Sequence, residues 1–221
     1  MTTLTTAPVA SLLERLFETD AASWSGASPD LAAMSEDEQN RLMRSKTEYR
    51  DFYGRMKDLP LAVSRETGAL LYMLARSTRA KVVVEFGTSF GISTLHLAAA
   101  LRDNGGGRLI TCEFEPSKVA RARDHLTEAG LIDLVEIREG DALQTLSVDL
   151  PETIDFLLLD GAKSLYPEVL SLVESRLRPG ALIIADNADY APDYLARVRS
   201  RAKGYISTPF GDEVELSMRI G

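Results

Sequence analysis

One cysteine stands in 221 residues, so the chain can close no disulfide on itself, and a reducing compartment is its natural setting. That residue, Cys112, lies in the apolar stretch Leu109-Ile110-Thr111-Cys112, where a thiol serves as a small buried hydrophobe rather than a nucleophile. Histidine is almost as scarce. His96 falls in an apolar helical pattern and His125 in a charged one; neither sits where a strand ends, so both read as packing or surface residues. No apolar run approaches the ~20 residues that a membrane-spanning helix needs. Positive charge is in deficit: 25 lysines and arginines against 33 acids leave a net charge of −8, which argues against a nucleic-acid partner held through its phosphates. The opening MTTLTTAPVASLLERLFETD lacks a basic segment followed by an apolar core, so no signal peptide is expected and the expected location is cytoplasmic. Internal repeats, linkers and low-complexity tracts are also missing.

What is present is organised around residues 81–94, KVVVEFGTSFGIST. Val82, Val83, Val84 and Phe86 form a short β-branched run, the pattern of a strand covered on both faces in a parallel sheet. Glu85 interrupts it, and a carboxylate inside a core strand is costly unless partnered. Gly87 and Gly91 follow, and ISTLHLAAALRD then reads as a helix. Strand, glycine turn, helix is the unit that offers bare backbone N–H groups to a ligand, although structural βα turns use glycine for close packing as well.

Upstream, residues 9–17 are amphipathic and precede a loop with Trp24, Gly26 and Pro29. Ser35 and Glu38 make a capping box for a helix expected to run to about Lys57, with Leu42, Tyr49, Phe52, Tyr53 and Met56 on one face. That stripe reads as core or subunit interface, with a substrate pocket as the alternative. Pro60 ends it, and residues 64–75 form a further helix. Downstream, strands at 109–113, 134–138, 154–159 and 181–185 alternate with helices at 116–129, 163–177 and 192–202. Repeated βα units predict an α/β fold, a parallel sheet with helices on both faces. Residues 204–209 and 213–220, separated by Gly211-Asp212, predict a closing antiparallel hairpin. The run Asn104-Gly105-Gly106-Gly107 follows a helix and precedes a strand, so it reads as a connection rather than a phosphate loop.

Ligands of open α/β sheets lie beyond the carboxyl ends of the strands. There the chain offers Glu85 with the turn Gly87-Thr88-Ser89, then Glu113, suited to the two hydroxyls of a ribose. Asp141 follows, placed to accept from an adenine amino group. Asp160 and Asp186 end two strongly apolar strands, DFLLLD and ALIIAD. Two carboxylates held close repel unless a cation lies between them. With the amide of Asn187 they form an all-oxygen set suited to Mg²⁺, Mn²⁺ or Ca²⁺; alternatively both acids cap the helices that follow. Lys163 stands in the next turn, where a neighbouring dication would lower its pKa toward that of a general base. Tyr166, Asp189 and Tyr190 flank this group, as ordinary loop and helix residues or as contacts for an acceptor.

Taken together, these residues resemble the metal-dependent small-molecule O-methyltransferases of the class I S-adenosylmethionine (SAM) fold, the group containing catechol and caffeoyl-coenzyme A O-methyltransferases. The resemblance covers residues 61–220 and is carried by E-F-G-T-S-F-G-I-S and, more specifically, by D-G-A-K plus D-N. It implies a Rossmann-like, seven-stranded, mostly parallel sheet, with residues 61–221 as the methyltransferase domain and residues 1–60 as a helical extension covering the acceptor site or making a dimer contact. By the same match Gly87, Thr88 and Ser93, with the backbone of Val63, hold the methionine moiety of SAM and Glu85 lies beside it. Glu113 binds the ribose, and Asp141 and Ala142 line the adenine. The metal ligands fall on Asp160, Asp186 and Asn187, and the catalytic lysine on Lys163.

The implied activity is Mg²⁺-dependent methyl transfer from SAM to a hydroxyl of a small molecule, by a protein expected to be a homodimer. The chain departs from the catechol enzymes at Ala162, where they carry a tryptophan, and in 204–207, which offers no carboxylate for a second hydroxyl. A metal-independent methyltransferase acting on nitrogen or carbon is the nearest alternative. A nucleotide-dependent oxidoreductase would want the third glycine of G-x-G-x-x-G, which is missing. A module that only binds SAM has no use for Asp160, Lys163, Asp186 and Asn187.

Overall fold

Seven strands form one sheet in the order β3-β2-β1-β4-β5-β7-β6, in a computed structural model that describes residues 1–23, 33–211 and 213–221. They are β1 (Val82–Phe86), β2 (Arg108–Glu113), β3 (Val135–Glu139), β4 (Ile154–Leu159), β5 (Leu177–Ala185), β6 (Tyr205–Phe210) and β7 (Val214–Arg219). The first five run parallel. The last two form the expected hairpin, with β7 antiparallel to both β5 and β6. The order reverses between β1 and β4, where a doubly wound sheet opens a crevice at its carboxyl edge.

Helices cover both faces because the strands are apolar on both. On one side α1 (Val9–Ser23), α4 (Arg65–Ser77), α5 (Ile92–Asp103) and α6 (Pro116–Glu128) enclose the larger core. On the other, α7 (Ala142–Thr145), α8 (Tyr166–Val173) and α9 (Pro192–Val198) enclose a second. α5 is buried from Ile92 to Leu101, which accounts for its being apolar all round. Capping is local: Ser64 Oγ accepts from Thr67 N–H at 3.0 Å, and Glu115 accepts from Ser117 N–H ahead of Pro116.

Three expectations need correction. The helix expected to run to Lys57 is two short ones, α2 (Glu36–Met43) and α3 (Tyr49–Gly54). Between them Ser45 Oγ accepts from Thr47 N–H and Glu48 N–H, so a side chain takes the backbone donors that helix continuation would use. Of the proposed capping box, Ser35 Oγ does accept from Glu38 N–H, but the Glu38 carboxylate turns outward to Arg41. The helix expected at 163–177 ends earlier, because β5 begins at Leu177. Trp24, Gly26, Pro29 and Asp212 lie outside the described residues.

The described helices among residues 1–60 pack against the rest of the chain or against one another. α1 buries Val9, Leu12, Leu13 and Leu16 in the larger core. Leu42, Phe52, Met56 and Leu59 close a small cluster of their own, so most of the aromatic stripe is consumed within the chain. Its other members, Tyr49 and Tyr53, turn toward the crevice.

Candidate active site

At the carboxyl edge between β1 and β4 lies a cleft open to solvent, the place where open α/β sheets bind their ligands. Gly87, Glu113, Asp141, Ala142 and Asp160 line it, as sequence reasoning placed them. So do Tyr49, Tyr53, Leu61, Phe114 and Lys118, which it did not single out for the cofactor. Phe114 directly follows Glu113 at a strand end, a signal that was available. For Tyr49 and Tyr53 the helical stripe offered a pocket only as the alternative reading, and nothing in the spacing tied Leu61 to the cleft, because its approach is tertiary.

Gly87 has φ +102, and a Cβ there would stand 2.6 Å from the Asp160 carbonyl oxygen. Only glycine lets the ends of β1 and β4 come so close. The ladder continues past the strands: Asp160 N–H donates to Phe86 O at 2.8 Å, and Asp186 N–H to Leu159 O at 2.9 Å. These bonds bring both acids to adjacent strand ends.

The remaining residues of the expected methionine site lie behind the cleft surface. Glu85 is fully buried, and its carboxylate accepts from Ser93 Oγ and Thr94 Oγ1, both at 2.6 Å. Burial raises its pKa to about 6, opposed by hydrogen bonds from Ser93, Thr111 and Thr94, while the Glu113 charge adds to the rise. The cost anticipated for a carboxylate in this strand is thus met by local hydroxyls. Thr88 Oγ1 meets Thr111 Oγ1 at 2.6 Å, and Val63 is buried beside α4. Glu113 accepts from the backbone N–H of Ser89 at 2.9 Å and of Glu115 at 3.0 Å, which fixes its carboxylate at the cleft wall. Asp141 caps α7 through Leu143 N–H and pairs with Arg50 at 2.5 Å.

The polar cluster is built on Lys163, only 5% exposed. Its Nζ donates to Asp160 Oδ1 at 2.8 Å and stands 3.8 Å from Asp186 Oδ2. Burial favours loss of its proton, but Asp160, Tyr166 and Asp186 outweigh burial and hold its pKa well above the ordinary lysine value. Burial raises the Asp160 carboxyl, against the pull of Lys163 and with the push of Asp186. Neither acid caps a helix, so that alternative is not what the structure shows.

Asn187 adopts a left-handed conformation, φ 48 and ψ 44, directly after Asp186, a strained arrangement for a side chain other than glycine. Among the described residues no three His, Cys, Asp or Glu side chains gather at one point, so a metal here depends on the Asn187 amide as third oxygen. The donor chemistry fits a hard dication: two carboxylates and an amide, with an ammonium already supplying positive charge between the acids.

Tyr166 is buried and donates to Asp186 O at 2.7 Å, so it supports the site from behind. Tyr190 lies under the Arg44 guanidinium, whereas Asp189 is exposed. His96 Nδ1 meets Ile92 O and His125 Nδ1 meets Phe90 O, both far from any ligand role. Residues 104–107 are the connection expected of them, with Gly105 and Gly106 at positive φ.

A doubly wound sheet with a cleft at its switch point, an acid at the end of the second strand and a carboxylate–lysine–carboxylate cluster after the fourth and fifth has the architecture of a Rossmann-like domain. Residues 84–188 match the family described as "Methyltransferase domain". The chain is 38% identical over 130 residues to a catechol O-methyltransferase of Niastella koreensis, a match taking in 58% of each chain. It is 32% identical over 173 residues to the catechol O-methyltransferase of Sus scrofa, covering 74% of this chain and 91% of that one. Among solved structures, the O-methyltransferase TomG of Streptomyces achromogenes, involved in tomaymycin synthesis and solved with SAM, superposes with a TM-score of 0.64 at 29% identity, covering 95% of this chain and 99% of that one. The chain belongs to the class I O-methyltransferase family. The Niastella match spans under three fifths of that relative's own length.

Proposed function

We propose that the protein transfers the methyl group of SAM to a hydroxyl oxygen of a small molecule, with Mg²⁺ or a similar dication held by Asp160, Asp186 and Asn187 and with Lys163 as general base. The observation that carries this reading is the buried Asp160–Lys163–Asp186 cluster, whose Asp160 reaches the lining of the cleft. Relatives named catechol O-methyltransferase support a phenolic or catechol-like acceptor, and a sugar hydroxyl would fit the same chemistry. The expected cytoplasmic, homodimeric state belongs to the proposal as well.

In this reading Gly87 brings the cofactor backbone-close, Glu113 takes the ribose hydroxyls, and Asp141, Ala142 and Phe114 border the adenine. Methyl passes from sulfur to oxygen in a single displacement: the S–CH₃ bond breaks, the O–CH₃ bond forms, and a neutral thioether remains. The cleft's contribution is position, since the sulfonium is already an activated donor. A bound dication would lower the acceptor's pKa and fix its oxygen. Lys163 accepts the hydroxyl proton only after losing its own, which requires the charges of Asp160 and Asp186 to be neutralised from another source.

A second reading has its own observation. The Lys163 ammonium already bridges the two acids at 2.8 and 3.8 Å, so a metal-independent methyltransferase with Asp160 as acceptor anchor is consistent with the same geometry. Mn²⁺ binding separates the two. The metal reading expects one bound ion that Asp160→Asn abolishes while SAM affinity stays within about threefold; no ion bound by the wild type would leave the metal-independent reading standing.

A further inference from the structure

Lys118, on α6, lines the cleft yet has no part in the reaction just described. It is 3% exposed. Its Nζ donates to Ser89 Oγ at 3.3 Å, and the Ser89 hydroxyl itself donates to the Pro60 carbonyl, so the ammonium meets a lone pair. Its other close neighbour is the Phe90 ring, with Nζ 5.7 Å from the centroid. Among the described residues it joins no ion pair. A buried ammonium with three donors and one long hydrogen bond is costly for the fold. Burial lowers its pKa to about 8, with Arg121 on the same helix adding to the fall. Glu113 at the end of β2, Glu115 and Asp160 pull the other way.

Its position along the cleft gives this cost a use. The cleft runs from Asp141 and Ala142 past Glu113 to Asp160. Glu113 accepts a hydrogen bond from Ser89 N–H, and Ser89 Oγ accepts one from the Lys118 ammonium. The sulfur of SAM belongs between ribose and acceptor, hence between Glu113 and Asp160, and Lys118 feels the charge of both.

We propose that Lys118 reads the charge on the cofactor's sulfur: its ammonium disfavours the sulfonium of SAM relative to the neutral thioether of S-adenosylhomocysteine (SAH). The inference rests on SAM being the cofactor. As the S–CH₃ bond breaks, positive charge leaves the sulfur and the repulsion is relieved, so Lys118 favours transfer at the expense of SAM affinity and of product release. At an effective dielectric of about 20, two like unit charges within about 10 Å of each other correspond to about a tenfold change in affinity.

The test is calorimetric titration of SAM and of SAH into the wild type, Lys118→Met and Lys118→Arg between pH 7 and 9. In the wild type the ratio Kd(SAM)/Kd(SAH) is expected to fall as pH rises through about 8. In Lys118→Met the ratio should be about tenfold lower at pH 7. Lys118→Arg, which keeps its charge throughout, should hold the high ratio across the range. The amino group of the ligands titrates alike in all three proteins and cancels. Equal ratios in wild type and Lys118→Met, or a wild-type pH profile no different from that of Lys118→Arg, would overturn the inference while leaving the cofactor assignment intact. Failure of the wild type to bind either ligand would overturn both.

Discussion

Glu85 shows how one side chain sets a measurable pH dependence. Its pKa is about 6 in the fold against an ordinary 4.5, so the folded chain prefers the protonated form. The stability this confers is fully present below about pH 4.5 and is lost as pH rises through 6, a change of about 2 kcal/mol. Glu85→Gln stays neutral throughout. Denaturant titrations across that window should therefore show the wild type losing about 2 kcal/mol relative to the variant; a constant difference would contradict the assignment. Cys112 gives a second residue-scale expectation. Burial pushes its thiol well above the ordinary range, and its Sγ faces the Glu85 carbonyl. It should resist aromatic disulfide reagents in the native protein and react on unfolding, and prompt reaction in native buffer would count against its burial. Much at this scale was readable beforehand: both the burial of Cys112 and the awkwardness of Glu85 follow from their place in apolar strands. The hydroxyls that answer Glu85 come from the next helix, one turn beyond the glycine loop, and spacing alone did not assign them that task.

Elements carry the second level of the argument. The β1 turn tolerates no side chain: Gly87→Ala would place a Cβ 2.6 Å from the Asp160 carbonyl oxygen at φ +102, and should cost more than about 2 kcal/mol by thermal unfolding. The segment from Ser45 to Tyr53 behaves as a strap over the cleft. Ser164 Oγ donates to Ser45 O at 3.0 Å, Lys46 pairs with Glu168, and Arg50 pairs with Asp141 at 2.5 Å. Arg50 is half exposed, so its ion pair contributes little to folding. Arg50→Ala should leave the unfolding midpoint nearly unchanged and weaken SAH binding about fivefold, because the strap also brings Tyr49 to the cleft that Asp141 lines. An unchanged SAH affinity would show that the strap does not border the cofactor. This strap is what the sequence concealed. Its helical pattern runs on through Ser45, and only the competition of that hydroxyl for backbone N–H groups breaks it. By contrast the order of strands and helices after Val82 was plain, because the core strands are short apolar runs that end at a glycine or an acid.

At the scale of the molecule, the strand order reverses between β1 and β4, where the cleft opens, and α1 contributes Val9, Leu12, Leu13 and Leu16 to the larger core. The cleft-lining positions Gly87, Glu113, Asp141, Ala142 and Asp160 were legible in the sequence because they follow the ends of parallel strands, a position that needs no tertiary information. The lining from residues 49–61 was not, since it depends on how the first 60 residues fold back. The membership of this chain among O-methyltransferases predicts SAM binding, and a turn without the third glycine of G-x-G-x-x-G predicts no measurable binding of NAD⁺. The central claim is methyl transfer to oxygen with a dication. It is tested most directly by mass spectrometry of products from SAM and a catechol, with Mg²⁺ and with excess EDTA. A mono-O-methylated product that appears with Mg²⁺ and disappears with EDTA and in Asp160→Asn is the predicted result. Methylation unaffected by EDTA, or transfer to nitrogen or carbon acceptors alone, would contradict it.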